Sequence, residues 1–265
     1  MADWFELRGI IPKKQKFLLE LCGFVVVLAV WQLMALKFNS EAILPSPLHV
    51  VKAYAELHFN DFLIRNVLYS IKLNLIGYIE AICIAVPLGL TIGLFPFFNA
   101  LWARYVDGIR FLPLTAVTGI FIAWFGIGIL MKTQFLTLGI VVFLLPIVVQ
   151  RVSEVEDVYV QTAYTLGANK WQTIVRVFIP HVSSHVFDNI RVIVATSWTY
   201  IIVAEMVNNE GGVGAMIFRA ARQCRLDKVF AILFLIIAIG IVQDKIFLWL
   251  DRLIFKYKYS QEELK

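Results

Sequence analysis

The sequence predicts an all-α, polytopic membrane protein with about six transmembrane helices, and three observations carry that expectation. Of its 265 residues, 60% are hydrophobic and 16% charged, with a mean hydropathy of +0.78. A soluble domain has roughly a quarter of its residues charged, so this chain lacks the polar surface that water requires. Its apolar residues gather in runs, several near the roughly 20 residues that cross a bilayer as a helix. Most of its Lys and Arg residues fall between those runs, the pattern of loops flanking membrane spans.

In chain order, spans are expected near Leu18–Leu36, Tyr69–Phe95, Phe111–Leu130, Phe135–Gln150, Val186–Val207 and Val229–Leu250. The first reads as a retained span. Arg8, Lys13, Lys14 and Lys16 precede it, but the apolar run is long and lacks the small-residue cleavage site of a secretory leader. The fourth is short and rests partly on topology. With the N-terminus inside the cell, fourteen Lys and Arg residues fall on the inside, seven on the outside and three at span edges. That excess favours both termini in the cytoplasm. The expected organisation is a cytoplasmic segment over residues 1–17, a transmembrane domain over 18–250 with an inside loop at 151–185, and a cytoplasmic tail over 251–265.

The net charge of +5 does not signal nucleic acid, because such binders collect their basic residues on one patch or stripe. Cys22, Cys83 and Cys224 are far apart in the sequence. They show neither metal-ligand spacing nor a disulfide framework and read as small apolar residues.

Two segments outside the spans carry the organisation. In the outside stretch from Asn39 to Asn66, the extended element Leu44-Pro45-Ser46-Pro47 precedes Leu48, Val51, Tyr54, Ala55 and His58 at helical spacing. This predicts a helix lying along the membrane surface. The inside loop contains Gln161-Thr162-Ala163-Tyr164-Thr165-Leu166-Gly167-Ala168-Asn169-Lys170-Trp171. It reads as a short helix, a break at Gly167, a second amphipathic helix and a stop at Pro180. Small residues at Thr162, Ala163 and Ala168 admit another protein's surface. Trp171, Ile174 and Phe178 form a stripe suited to holding the second helix against the membrane base.

This loop resembles the Glu-Ala-Ala loop of ABC-importer permeases. Gln161, Thr162 and Ala163 stand at the Glu-Ala-Ala positions, Gly167 at the glycine, and Ile179-Pro180 at the closing pair. Gln161 and Thr162 depart from the pattern. The likeness narrows to the nitrate, sulfonate, taurine and bicarbonate branch through further elements: Leu44-Pro45-Ser46-Pro47, the segment from Arg110 to Ala116, the Trp124-Phe125-Gly126-Ile127-Gly128 turn, and Ala204-Glu205 followed by Gly212-Val213-Gly214. The branch's common Pro near Thr118 is missing.

The resemblance implies a type I importer permease fold and a translocation pathway for a small, anionic solute, opened by alternating access. It implies a homodimer, two cytoplasmic ATPase subunits that carry ATP and Mg, and a periplasmic or lipid-anchored solute-binding protein. Coupling to the ATPase falls to Gln161, Thr162, Ala163, Gly167 and Ala168. No phosphate-cradling Gly-x-x-x-x-Gly-Lys-Ser/Thr loop occurs in the sequence, in keeping with a chain that is not itself an enzyme and binds no cofactor.

Other residues carry narrower expectations. Glu205 is either a pore or gate residue, in a gating or structural contact at the outer pore mouth, or a hydrated interfacial acid, and Glu80 is expected to pair with Lys72 or a neighbouring helix. His181 and His185 have metal-compatible spacing but no third ligand in register. Arg219, Arg222 and Arg225 form either a solvated face, a docking surface for an acidic binding protein or an electrostatic funnel for an anion. Gly77, Gly89 and Gly93 share one side of the second span and favour close helix packing. Gly211-Gly212-Val213-Gly214 reads as a turn. A secondary transporter driven by an ion gradient would call for inverted repeats or interrupted spans bearing acids, for which only Glu80 and Pro87 speak. A membrane-embedded enzyme would need convergent nucleophiles, acids or metal ligands, which four scattered His and the dispersed acids do not supply.

Overall fold

The computed structural model describes residues 11–38, 40, 43–207 and 210–259. Arg8, Asn39 and Lys265 of the readings above lie outside them. Among the described residues there are helices and no strands. Five helices among the described residues are long and apolar enough to cross a membrane, and a sixth crossing results if one bent pair counts as a single span. The chain divides into two compact units, Leu63–Phe218 with Phe234–Lys265, and Met1–Phe62 with Arg219–Leu233.

The larger unit is organised around α3 (Leu63–Leu94), α6 (Ile129–Ser153) and α9 (Ile179–Val207). Apolar surface alone does not hold helices together in lipid, so contact depends on close van der Waals fit. Gly77, Ala81, Ala85, Gly89 and Gly93 recur every four residues on α3 and form its contact face with α6. A Cβ at Gly77 would come within 2.8 Å of Leu136, and one at Gly89 or Gly93 within 2.6 Å of Val148 or Val152. The expected glycine packing is thus present, and α6 is its partner. Gly89→Val is expected to cost about 1–3 kcal/mol through overpacking, read as a lower unfolding midpoint of the detergent-purified chain. Gly23, which has open space around it, is the control position.

The expected third span, Phe111–Leu130, is not one helix. The chain forms α4 (Pro96–Ile109), a short 3-10 turn at Leu114–Val117 and α5 (Thr118–Phe125), with a 94° bend between the two halves. Pro113 cannot continue α4, because it lacks an N–H. Gly126, at φ 72°, ends α5 in the left-handed region. The fourth span correspondingly starts at Ile129 rather than Phe135. Lys132 falls between the expected third and fourth spans and so counts among the seven basic residues expected outside, but it lies inside α6 and is fully buried. A core cluster that includes Leu114, Phe121, Met131, Phe135, Val142 and Ala204 fixes this corner.

In the smaller unit, α1 (Lys13–Phe38) exposes apolar side chains nearly all round and buries only Ala35, as a lipid-facing span does. The helix expected after Leu44-Pro45-Ser46-Pro47 is α2 (Pro47–Phe59), with Ser46 as its N-cap and Pro47 in its first turn. It packs through Val50, Ala53 and Leu57 and leaves Leu48, Val51 and Ala55 open. The apolar stripe read from the sequence is therefore the outward face of α2.

Arg225, proposed above for docking, is engaged within this unit. It lies 2.6 Å from Glu56 and 2.9 Å from Asp227, while Lys228 lies 2.8 Å from Glu56 and 2.7 Å from Asp61. Hydrogen bonds from Arg225 and Lys228 hold the Glu56 carboxyl down at about 2. Cys22, Cys83 and Cys224 are free and exposed.

Candidate functional site

Two sites carry the functional residues read from the sequence, and both belong to the larger unit. The first is a helical hairpin. Its first arm, α7 (Asp157–Thr165), starts with an acid in the first turn, which suits the positive end of the helix dipole. At its other end Gly167 has φ +80°. The Gly167 N–H donates to the Tyr164 carbonyl at 2.9 Å, and the Ala168 N–H donates to the Ala163 carbonyl at 3.0 Å. This is the paired closure of a Schellman turn. It requires the left-handed conformation at one position, and Gly167 supplies it without a Cβ penalty.

The second arm begins one residue later. Asn169 caps α8 (Lys170–Thr173) by a reciprocal box: the Gln172 N–H donates to Asn169 Oδ1 at 2.8 Å, and the Asn169 N–H donates to Gln172 Oε1 at 2.9 Å. Only Leu166, Gly167, Ala168 and Asn169 separate the arms, so the hairpin is stiff.

The hairpin brings Gln161, Thr162, Ala163, Gly167 and Ala168 together. Gln161, Thr162 and Gly167 are exposed, while Ala163 and Ala168 are half-buried. Sequence reasoning missed the apolar surface around them. Leu166 is 83% exposed, and Tyr164, Tyr159 and Val158 are also open. Their signal was available as apolar residues without helical partners in a polar segment. Of the expected stripe, Trp171 is 70% exposed, while Ile174 and Phe178 are half-buried.

Pro180 does not stop the second arm. The helix passes through a π-turn at Ile174–Phe178 and continues as α9, with the Ile179 N–H donating to the Ile174 carbonyl. The extra residue in that turn rearranges the ladder just where proline removes a donor. The hairpin is therefore joined to a membrane-crossing helix without a loop.

The second site lies at the far end of α9. Glu205 is fully buried. Its Oε1 accepts from the Ser70 hydroxyl at 2.6 Å and its Oε2 from the Gly214 N–H at 2.8 Å. The Val213 N–H donates to Ser70 Oγ at 3.0 Å, and the Gly212 N–H to Asn66 Oδ1 at 2.8 Å. Side chains of α3 and α9 thus satisfy the first amides of α10 (Val213–Arg222), which would otherwise be orphaned. A carboxylate also suits the positive end of that helix.

The Gly211-Gly212-Val213-Gly214 turn exists to admit this acid. A Cβ at Gly212 would overlap the Glu205 carboxyl, and one at Gly214 would lie 2.5 Å from the Ile202 carbonyl oxygen. Glu205 is therefore held in internal hydrogen bonds and is not an acid hydrated at the interface. Lys132 was missed as part of this region. Its ammonium lies over the Tyr69 ring at 5.2 Å and has no hydrogen-bond partner among the described residues.

The remaining polar residues tie helices together. Glu80 accepts from Gln134 at 2.9 Å and Thr137 at 2.8 Å on α6, so its partner is the neighbouring helix and not Lys72. His181 and His185 meet on α9 with ring centroids 4.7 Å apart and their planes tilted by 55°. No group of three metal-ligating side chains occurs among the described residues.

Residues 85–256 match the family described as binding-protein-dependent transport system inner membrane component. The chain is 28% identical over 245 residues to a Bacillus subtilis protein named for aliphatic sulfonates transport, covering 89% of this chain and 86% of that one. It is 25% identical over 263 residues to the nitrate import permease protein NrtB of Synechococcus elongatus, covering 92% and 91%. Its fold is similar to an inward-facing structure of the MetNI methionine ABC transporter, with a TM-score of 0.59, 14% identity, and coverage of 75% of this chain and 96% of that chain.

Proposed function

Since the chain belongs to the family of binding-protein-dependent transport system inner membrane components, and is thereby a permease component of an ABC importer, we propose that it forms the pathway for a small anionic solute and opens it by alternating access coupled to separate ATPase subunits. The solute class follows the sulfonate and nitrate named for its relatives. The working unit is a homodimer with two cytoplasmic ATPase subunits, which hold ATP and Mg, and a periplasmic or lipid-anchored binding protein. This chain catalyses no reaction of its own. It lies in the bacterial inner membrane with both termini and the hairpin in the cytoplasm, in line with the excess of basic residues on that side.

One observation carries this reading: the exposed hairpin around Gly167. A solvated pair of short helices does not leave Leu166 83% exposed unless another surface covers it, because contiguous exposed apolar side chains mark interaction sites. Gln161, Thr162 and Gly167 present small or polar groups beside that patch, and both arms are held by their own hydrogen bonds. A rigid-body push on such a hairpin reaches α9 directly, since no flexible linker intervenes.

Cysteine at Ala163 or Ala168, in the native complex with Cys22, Cys83 and Cys224 replaced by Ser, is expected to crosslink to an ATP-hydrolysing subunit. Failure of both positions to reach one would end the coupling assignment. The alternative, a secondary transporter, predicts solute accumulation by the purified chain in vesicles with an ion gradient and no ATPase.

A further inference from the structure

A groove runs between α9 and the last span, α11 (Leu226–Ile254), within the larger unit, and encloses about 520 Å³. Its origin lies in the sequence. Gly240 faces it with nothing within 4 Å of where a Cβ would stand, so this glycine leaves space instead of allowing contact. Ala195 opposite is also small. The two helices are bridged by long side chains rather than close backbones. Trp198 Nε1 donates to Gln243 at 2.8 Å, Phe187 meets Phe247 at 5.8 Å, and the Arg191 guanidinium donates twice to Asp244 Oδ1, at 2.8 and 3.1 Å.

The groove is polar at one end only. Val194, Ile236, Ile237 and Ile241 make its walls, and Arg191, Asp244 and Lys245 close it. Asp244 balances one cation. Lys245 is exposed and makes no hydrogen bond or ion pair among the described residues, so the closed end carries a net positive charge. Lys245 lies 19 residues along α11 from Leu226, roughly 29 Å at helical rise. That is about one hydrocarbon thickness, the depth at which a charge meets lipid headgroups.

We propose that this groove holds an anionic phospholipid, with an acyl chain over Gly240 and the phosphate on Lys245 and Arg191. The match is one of charge and polarity along a single axis. A basic pocket between spans at the interface recognises an anionic head, and the aliphatic walls accept the chain attached to it. Neither free phosphate nor an uncharged lipid satisfies both ends.

The test uses the full-length chain purified in neutral detergent, with phosphatidylglycerol, phosphatidylcholine or inorganic phosphate added. Lipid retention is read by native mass spectrometry and stability by unfolding midpoint. Phosphatidylglycerol is expected to be retained at saturable stoichiometry and to raise the midpoint, with phosphatidylcholine and phosphate doing neither. Lys245→Gln should weaken retention roughly five-fold, the equivalent of about 1 kcal/mol for one interfacial cation. Gly240→Leu fills open space and favours helix, so it should fold normally and yet lose the lipid.

Unchanged retention in both variants, or equal retention of both lipids, overturns the proposal. Equal protection by inorganic phosphate would assign the cations to a free anion. Retention by monomers but not dimers would assign the groove to a second copy. These readouts need no ATPase or solute, so failure here leaves the transport reading standing.

Discussion

Replacement of Glu205 by Ala is expected to destabilise the permease by about 3 kcal/mol and to release the start of α10. The estimate follows from what is left behind. The Ser70 hydroxyl and the Gly214 N–H both lose their acceptor inside the protein, and each unsatisfied buried donor costs about 1–3 kcal/mol. Lys132, already without a hydrogen-bond partner among the described residues, would also lose an opposing charge, and uncompensated buried charges are among the costliest defects. Glu205→Gln keeps the shape and one acceptor, so a smaller loss is expected. Hydrogen exchange is the discriminating measurement. The amides of Gly212, Val213 and Gly214 should exchange faster in Glu205→Ala while the centre of α6 stays protected. Unchanged protection at those three amides would refute the capping role.

Gly167→Val is expected to reduce ATP-driven uptake by about tenfold or more with little change in global stability. A left-handed conformation costs a residue bearing Cβ roughly 1–2 kcal/mol, and a β-branched side chain resists it further. The hairpin stands in open space, with nothing within 4 Å of a Cβ at Gly167, so the strain is local. It displaces the population that holds the docking shape, and apparent affinity falls in proportion to that population. Gly167→Asn should retain much more uptake, because Asn tolerates this conformation. Assays on the complete transporter in vesicles, reading uptake and ATPase together, separate the outcomes. Wild-type uptake by the Val variant would remove Gly167 from the coupling machinery.

Much of this architecture was legible because membrane spans declare themselves by length and hydropathy, and because special backbone positions demand glycine. The Gly77, Gly89 and Gly93 side of α3 and the break at Gly167 belong to that class. The errors share a different cause. Pro113 and the Gly126-Ile127-Gly128 turn broke the third run because an apolar stretch says nothing about whether its helix is continuous. Lys132 was read as a loop residue because charge suggests water, although the aromatic face of Tyr69 and the nearby Glu205 let it lie inside α6. Pro180 looked like a stop because proline lacks a donor, while the π-turn before it absorbs the defect. Glu205 was noticed as an acid near a span end, but its partners Asn66, Ser70 and Gly214 come from distant positions in the chain, and only folding unites them.

The π-turn at Ile174–Phe178 has a geometric consequence for the helix that follows it. From Ile179 to Val207, α9 spans 28 residue steps without interruption, a radius of roughly 42 Å at helical rise. Pivoting by about 10° around the widened turn would sweep the Glu205 end through an arc of about 7 Å, longer than one turn of helix. A small angular adjustment beside the hairpin would thereby become a displacement of several ångströms at the far end of α9.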